Sequence, residues 1–151
     1  KENKDLITSV SAMSSKKLLS SETFNVIRKG LDLDKDKKIK YYERYPIVEV
    51  FSKISDCLVS HQHYNELNYI YMDAIFLGIP IVHNSNMIKE VGYHYNDFNL
   101  FEAKDKLKEA ILTHKYRSKE IKEKEKKFLK KYSIDNKKNI DGYRVLLEKL
   151  F

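Results

Sequence analysis

The feature that most constrains this chain is an alternation of two hydrophobic rhythms over its first hundred residues. Short β-prone runs occur at DLITSVSA (5–12), KIKYYERY (38–45), DCLVSHQ (56–62) and PIVHNS (80–85), with helical patterns at 18–30, 46–54 and 66–77 between them. Strand and helix alternating at this spacing predict βαβ units, hence an α/β chain with an open parallel sheet of about four strands and flanking helices. Pro46 suits the first turn of its helix, and Gly78 followed by Pro80 ends the third. The runs DCLVS and PIV are almost continuously apolar, as strands covered on both faces must be. Beyond Gly92 three more helices are expected at 102–113, 117–131 and 136–150. The last carries Ile140, Tyr143, Leu146, Leu147 and Leu150 on one side, a stripe that asks for an apolar partner.

The chain has 151 residues, the length of one domain, so a single domain over 1–151 is expected, with its helical part at about 102–151. Its formal charge of +7, from 29 basic and 22 acidic residues, raises the question of a polyanionic partner. The first hundred residues are balanced at 13 basic and 13 acidic, so the surplus belongs to the last third. Residues 115–131 alone hold nine basic and three acidic residues, and they read as a solvated helix exterior. The surface it would meet is an anionic membrane or an acceptor glycan; no nucleic-acid motif accompanies the lysines. No apolar run is long enough to cross a bilayer, KENKDLITSV lacks the apolar core of a signal peptide, and a single cysteine, Cys57, excludes an internal disulfide. A cytoplasmic setting is expected, with Cys57 an inert core thiol.

In open parallel sheets the ligand sits beyond the carboxyl ends of the strands. Two such ends are rich in polar groups: SHQHYNELN after DCLV, and HNSNMIKE after PIV. The first is expected to run into a helix N-terminus at 65–68, where free N–H groups and the helix dipole favour an anion such as a diphosphate. Glu66 and Asp73, seven residues apart, are expected on one face of that helix. Asp73 lies among apolar neighbours in YIYMDAIFLG and needs a partner; a ribose diol would serve, as would a tyrosine or the backbone. Tyr93 and Tyr95, with His94, would either stack on a sugar or base or pack the loop after Gly92.

The segment from Ser60 to Asn99, SHQHYNELNYIYMDAIFLGIPIVHNSNMIKEVGYHYNDFN, resembles the donor-binding part of GT-B glycosyltransferases. The pattern SHQ, LNY, an acid, G, P, HNS and GYHY is similar to a glycosyltransferase-like family of bacteria and large DNA viruses. The resemblance extends upstream through GLDLDKDKKIKYYERYP and downstream to NIDGY. It implies a Rossmann-like, donor-nucleotide half of a two-domain enzyme, with an acceptor-binding half preceding it; the start at Lys1 without a methionine fits such a fragment. The implied activity is transfer of a hexosyl group from a nucleotide-diphosphate sugar to a glycan, protein or lipid acceptor, with little turnover by this half alone. The implied donor-binding residues are Ser60, His61, Gln62, Asn65, Glu66, Asn68, Asp73, His83, Asn84 and Ser85. Asp73 matches the acidic position that contacts the ribose in related retaining families. Asn65 stands where those families carry their first acid, which leaves Glu66 as the candidate catalytic group. Lys16 or Lys17 would fill the lysine slot of the diphosphate-binding pair, with Ala12 at the arginine slot; the alternative is that the chain begins one βα unit later and the pair is absent. No cofactor beyond the donor is implied, and the sequence requires no divalent metal.

Three other readings compete. A non-catalytic, flavodoxin-like nucleotide-binding module would share the polar strand ends. DLDKDKKIKYYE (32–43) matches a calcium-binding EF-hand loop at Asp32, Asp34, Asp36, Ile39 and Glu43, but places Lys37 where the loop needs glycine. His61, His63, His83 and His94 invite zinc, yet no ligand spacing supports a site; on a strand, His61 and His63 would face opposite sides.

Overall fold

In a computed structural model that describes residues 6–150, each expected strand forms over a shorter stretch than the β-prone run around it. The backbone divides into two compact units, Lys1–Leu58 and Val59–Phe151. Asp5, the first residue of the first β-prone run, lies outside the described residues.

In the first unit, β1 (Val10–Ala12) pairs in parallel with β2 (Ile39–Tyr41), in the register Val10 to Ile39 and Ala12 to Tyr41. The crossover holds a 3₁₀ turn (Lys16–Ser20), α1 (Glu22–Lys29) and α2 (Asp32–Lys35). The helix expected over 18–30 is broken at Ser21, whose backbone is extended and whose hydroxyl accepts from the Phe24 N–H, as an N-cap must. The Asp34 position of the calcium-loop reading is engaged otherwise. Asp32 to Lys35 are helical, and the Asp34 carboxylate takes Arg28 Nη1 at 2.9 Å and the Tyr41 hydroxyl at 2.9 Å. Lys37 adopts the left-handed turn conformation without glycine, at φ 57°. Among the described residues no three His, Cys, Asp or Glu side chains are grouped to hold a metal. Pro46 is the N-cap of α3 (Ile47–Lys53), its carbonyl accepting from Glu49 and Val50.

In the second unit the strand order is β3 (Leu58–Ser60), β4 (Ile81–His83), β5 (Tyr93–His94), with β4 and β5 parallel. The chain is therefore α/β, with small parallel sheets of two and three strands. β5 has no counterpart in the sequence expectation, because two residues cannot display a period. Between β3 and β4 runs α4 (Tyr69–Phe76), whose inner positions Tyr71, Ala74 and Ile75 are buried at the i, i+3, i+4 spacing of one helix face. Ile81, Val82, Ile88, Val91 and Tyr95 complete the core with Ala110 of α5 (Leu100–Thr113) and Phe128 of α6 (Lys119–Lys131). α7 (Lys137–Glu148) buries none of its residues. Asn99, Ser118 and Asn136 cap the last three helices with their side chains.

β5 depends on Gly92. Its φ is +72°, and a Cβ there would lie 2.7 Å from Ile81 Cγ2 and 2.9 Å from the Ile81 carbonyl oxygen. Gly92→Ala should lower stability by about 2 to 3 kcal/mol, combining left-handed strain with a backbone clash, read as a lower urea midpoint.

Candidate functional site

The carboxyl ends of β3 and β4 meet through the side chain of Asn84. Asn84 is buried; its Oδ1 accepts from the Gln62 N–H at 2.7 Å, and its Nδ2 donates to the carbonyls of Gln62 at 2.8 Å and Asp97 at 3.0 Å. One carboxamide thus braces three segments: the exit of β3, the exit of β4 and the loop after β5. Ser85 is also fully buried, and its hydroxyl donates to the Glu66 carbonyl at 2.9 Å. Both side chains were expected to line a donor pocket. Both are buried, with hydrogen bonds to main chain.

A second set of bonds fixes the β3 end from inside. The Ser60 hydroxyl meets the buried Tyr71 hydroxyl at 3.1 Å and accepts from Gln62 Nε2 at 3.0 Å. His61 Nδ1 lies 2.8 Å from the Tyr95 hydroxyl, which also donates to the Ser60 carbonyl at 3.4 Å. Tyr71 and Tyr95 are the residues sequence reasoning missed or left open. Tyr95 is buried and packs the loop after Gly92 while anchoring His61. The available signal was that each hydroxyl, if buried, needs a partner.

His83 is fully buried, and its Nε2 donates to the Val91 carbonyl at 2.9 Å. Burial pushes its pKa down to about 4, against the opposing pull of the Val91 carbonyl, so the ring is neutral at pH 7. It faces His94, its register partner on β5, with ring centroids 5.4 Å apart. His83 Nδ1 and His94 Nε2 are both buried without a hydrogen-bond partner. Burial also lowers the pKa of His94. His83 is therefore a core histidine rather than a pocket-lining one.

What remains open to a ligand is an exposed shelf beyond β3. His61, His63, Tyr64 and Phe98 cluster there, with ring centroids of His61 and Phe98 at 4.7 Å, His63 and Phe98 at 5.4 Å, and His63 and Tyr64 at 4.3 Å. His61 and His63 thus approach the same phenyl ring rather than opposite sides of a strand, because the strand ends at Ser60. Asn65 and Glu66 are exposed on the loop, and α4 begins only at Tyr69, with Asn68 as N-cap accepting from the Ile70 N–H at 3.2 Å. Glu66 is therefore not on the helix and shares no face with Asp73. Asp73 is exposed on the outer face of α4, with Tyr69 and Phe76, so water satisfies its carboxylate and the expected buried partner is not needed.

Cys57 precedes β3 rather than lying within it. Burial, with the Asp56 carboxylate adding to it, pushes its thiol up to about 11, so little thiolate exists at neutral pH. In the first unit Lys16 begins the 3₁₀ turn after β1, its ammonium 3.9 Å from Glu43, and Lys17 follows it. A cavity of about 410 Å³ lies elsewhere in the second unit, lined by Tyr93, His94, His114, Arg117 and Glu125 among others. None of the ten expected donor-binding residues lines it. Its wall is self-satisfied: Arg117 pairs with Glu125 at 3.3 Å and donates to His114 Nε2 at 2.7 Å, and His114 Nδ1 meets the Tyr93 hydroxyl at 3.2 Å.

A protein-family profile described as "Protein of unknown function (DUF2827)" matches residues 1–147. No curated protein and no solved structure matches the chain.

The histidine framework makes stability pH-dependent. A folded pKa of about 4 for His83, below the value of 6.5 it has when unfolded, means the unfolded chain binds more protons between these limits. Stability should therefore be greatest above pH 6.5 and fall by up to about 3 kcal/mol as pH drops towards 4. In His83→Leu the gap between denaturation midpoints at pH 7 and pH 4.5 should narrow, even though the variant is weaker at both. Asn84→Ala, which leaves the Gln62 amide and two carbonyls unbraced, should cost about 2 to 4 kcal/mol in the same assay.

Proposed function

This chain belongs to the DUF2827 family, and from that premise we propose that it is the donor-nucleotide half of a glycosyltransferase of the GT-B type, with a Rossmann-like arrangement of its strands and helices. The observation that carries the reading is the braced junction of the β3 and β4 ends, which holds an exposed aromatic shelf beside the start of α4. A junction of strand ends in a parallel α/β sheet is where such sheets bind ligands. The rings of His61 and Phe98 offer a surface for stacking a base or sugar. The dipole at the start of α4, whose Ile70 N–H is taken by the Asn68 side chain, favours a diphosphate, and Asp73, one turn further on, offers a carboxylate to two ribose hydroxyls.

The roles divide accordingly. His61, Gln62, Asn65 and Asn68 form or border the donor surface, while Ser60, His83, Asn84 and Ser85 support it from below. Glu66, on the loop and exposed, stands close in sequence to the diphosphate position and is the carboxylate available for chemistry on the donor. Transfer then depends on positioning and on stabilising the leaving diphosphate, and the acceptor is held by a part of the enzyme beyond this surface.

Isothermal titration of the 151-residue chain with uridine, guanosine and adenosine diphosphates tests the reading. One of them should bind with a Kd of about 0.1 to 1 mM, and Asp73→Ala should weaken it about tenfold, the worth of a charged hydrogen bond. Binding by none of the three, or an Asp73→Ala variant with unchanged affinity, would overturn it.

A further inference from the structure

The segment from Lys115 to Lys149 carries thirteen basic and six acidic residues, which accounts for the chain's whole surplus of seven positive charges. On α6 the buried side is set by Phe128, with Glu125 half-buried beside it. At 100° per residue the opposite face holds Lys119, Lys122, Lys126, Lys127 and Lys130 against Glu120 and Glu123. α7 then presents an apolar stripe: Ile140, Tyr143, Leu146 and Leu147, with Leu150 just past its end, fall within about 120° of arc. These five side chains are 43% to 75% exposed. Ile134, in the turn between the two helices, is 88% exposed. That turn is fixed: Asn136 Nδ2 donates to the carbonyls of Lys130 and Lys131, and Asn139 Nδ2 to those of Lys131 and Ser133, at 2.9 to 3.1 Å. The start of α7 is thus held against the end of the lysine-rich helix.

We propose that α6 and α7 form a peripheral docking surface for an anionic lipid bilayer, with the α7 stripe entering the headgroup boundary and the α6 lysines meeting the lipid phosphates. An amphipathic helix with an exposed apolar stripe and adjoining lysines has the chemistry of an interfacial anchor. A second copy of the chain fits less well. A stripe on one three-turn helix is smaller than the roughly 800 Å² per partner of a stable interface, and two copies would bring the same positive surfaces together. No helix among the described residues is long and apolar enough to cross a membrane, so the attachment is of the peripheral kind. The proposal is independent of the donor reading, since none of its residues belongs to the aromatic shelf.

Flotation of the chain with vesicles of phosphatidylcholine containing about 30% phosphatidylglycerol, and with pure phosphatidylcholine vesicles, tests it. The chain should rise with the anionic vesicles alone, and raising salt from about 0.05 to 0.5 M should release most of it as the Debye length shortens. Lys126→Gln, Lys127→Gln and Lys130→Gln together should lower the partition about a hundredfold, near fivefold per lysine. Leu146→Glu with Leu147→Glu should abolish it while circular dichroism stays unchanged, because both side chains are exposed. Equal partition to both vesicles, no flotation at all, or a dimer in light scattering that the leucine variant dissolves would each overturn the proposal.

Discussion

The structure of the candidate site hangs on one buried carboxamide. Asn84 stands just past β4, and its three bonds, to both backbone groups of Gln62 and to the Asp97 carbonyl, replace the ladder that ends when the strands do. A buried amide can be accommodated only with its hydrogen bonds made, and here the donors and acceptors it meets are themselves backbone groups that would otherwise be unpaired. The bracket therefore does two things at once: it satisfies its own polar atoms and it holds the loop from His61 to Asn68 at a fixed height above the sheet. Ser85 repeats the device one residue later at the Glu66 carbonyl. The aromatic shelf lies exposed, while these two side chains are buried and bonded to main chain.

This inverts the usual inference from polar residues at strand ends. A run such as HNS after an apolar strand is read as ligand-facing because polar groups in a core are costly. The cost disappears when the partner is main chain, and nothing in the sequence shows which partner a side chain will choose. The alternation of β-prone and helical runs was legible, and so was each of the three C-terminal helices to within about three residues, because apolar period is a property of the sequence itself. The start of α4 was not: Asn65, Glu66 and Asn68 all resemble caps, and only packing of Tyr71 and Ala74 decides that Asn68 is the one used. Asp73 was legible as a point of interest but for the wrong reason, since apolar neighbours in sequence are not neighbours in space when a helix turns them to its other face. β5 was invisible because it rests on the left-handed turn at Gly92 and on contact with Ile81, a long-range fact.

The histidines follow the same logic. Burial lowers the pKa of His83 to about 4, so it is neutral at physiological pH and serves the frame as a donor to the Val91 carbonyl; burial lowers His94 and His114 as well. His114 lies in the wall of the cavity beside α5 and α6, bonded to the Gly78 carbonyl and to Arg117. The open shelf beyond β3 carries exposed rings instead, beside a helix start capped by Asn68.

The distribution of charge then bears on how the shelf would hold a diphosphate. Between Lys53 and Lys89 there is no lysine or arginine, so every residue of the β3–α4–β4 unit that faces the shelf is neutral or acidic. The N–H groups at the start of α4 and the helix dipole supply about half a positive charge, which is too little to balance two phosphates unaided. With no lysine or arginine there, the missing counter-charge has to come from outside residues 54–88. The large positive surplus after Lys115 lies on and around α6 and α7, whose residues are not among those of the shelf. A diphosphate bound at the shelf would therefore need a further positive group, whereas the dense lysines of α6 adjoin the apolar stripe of α7.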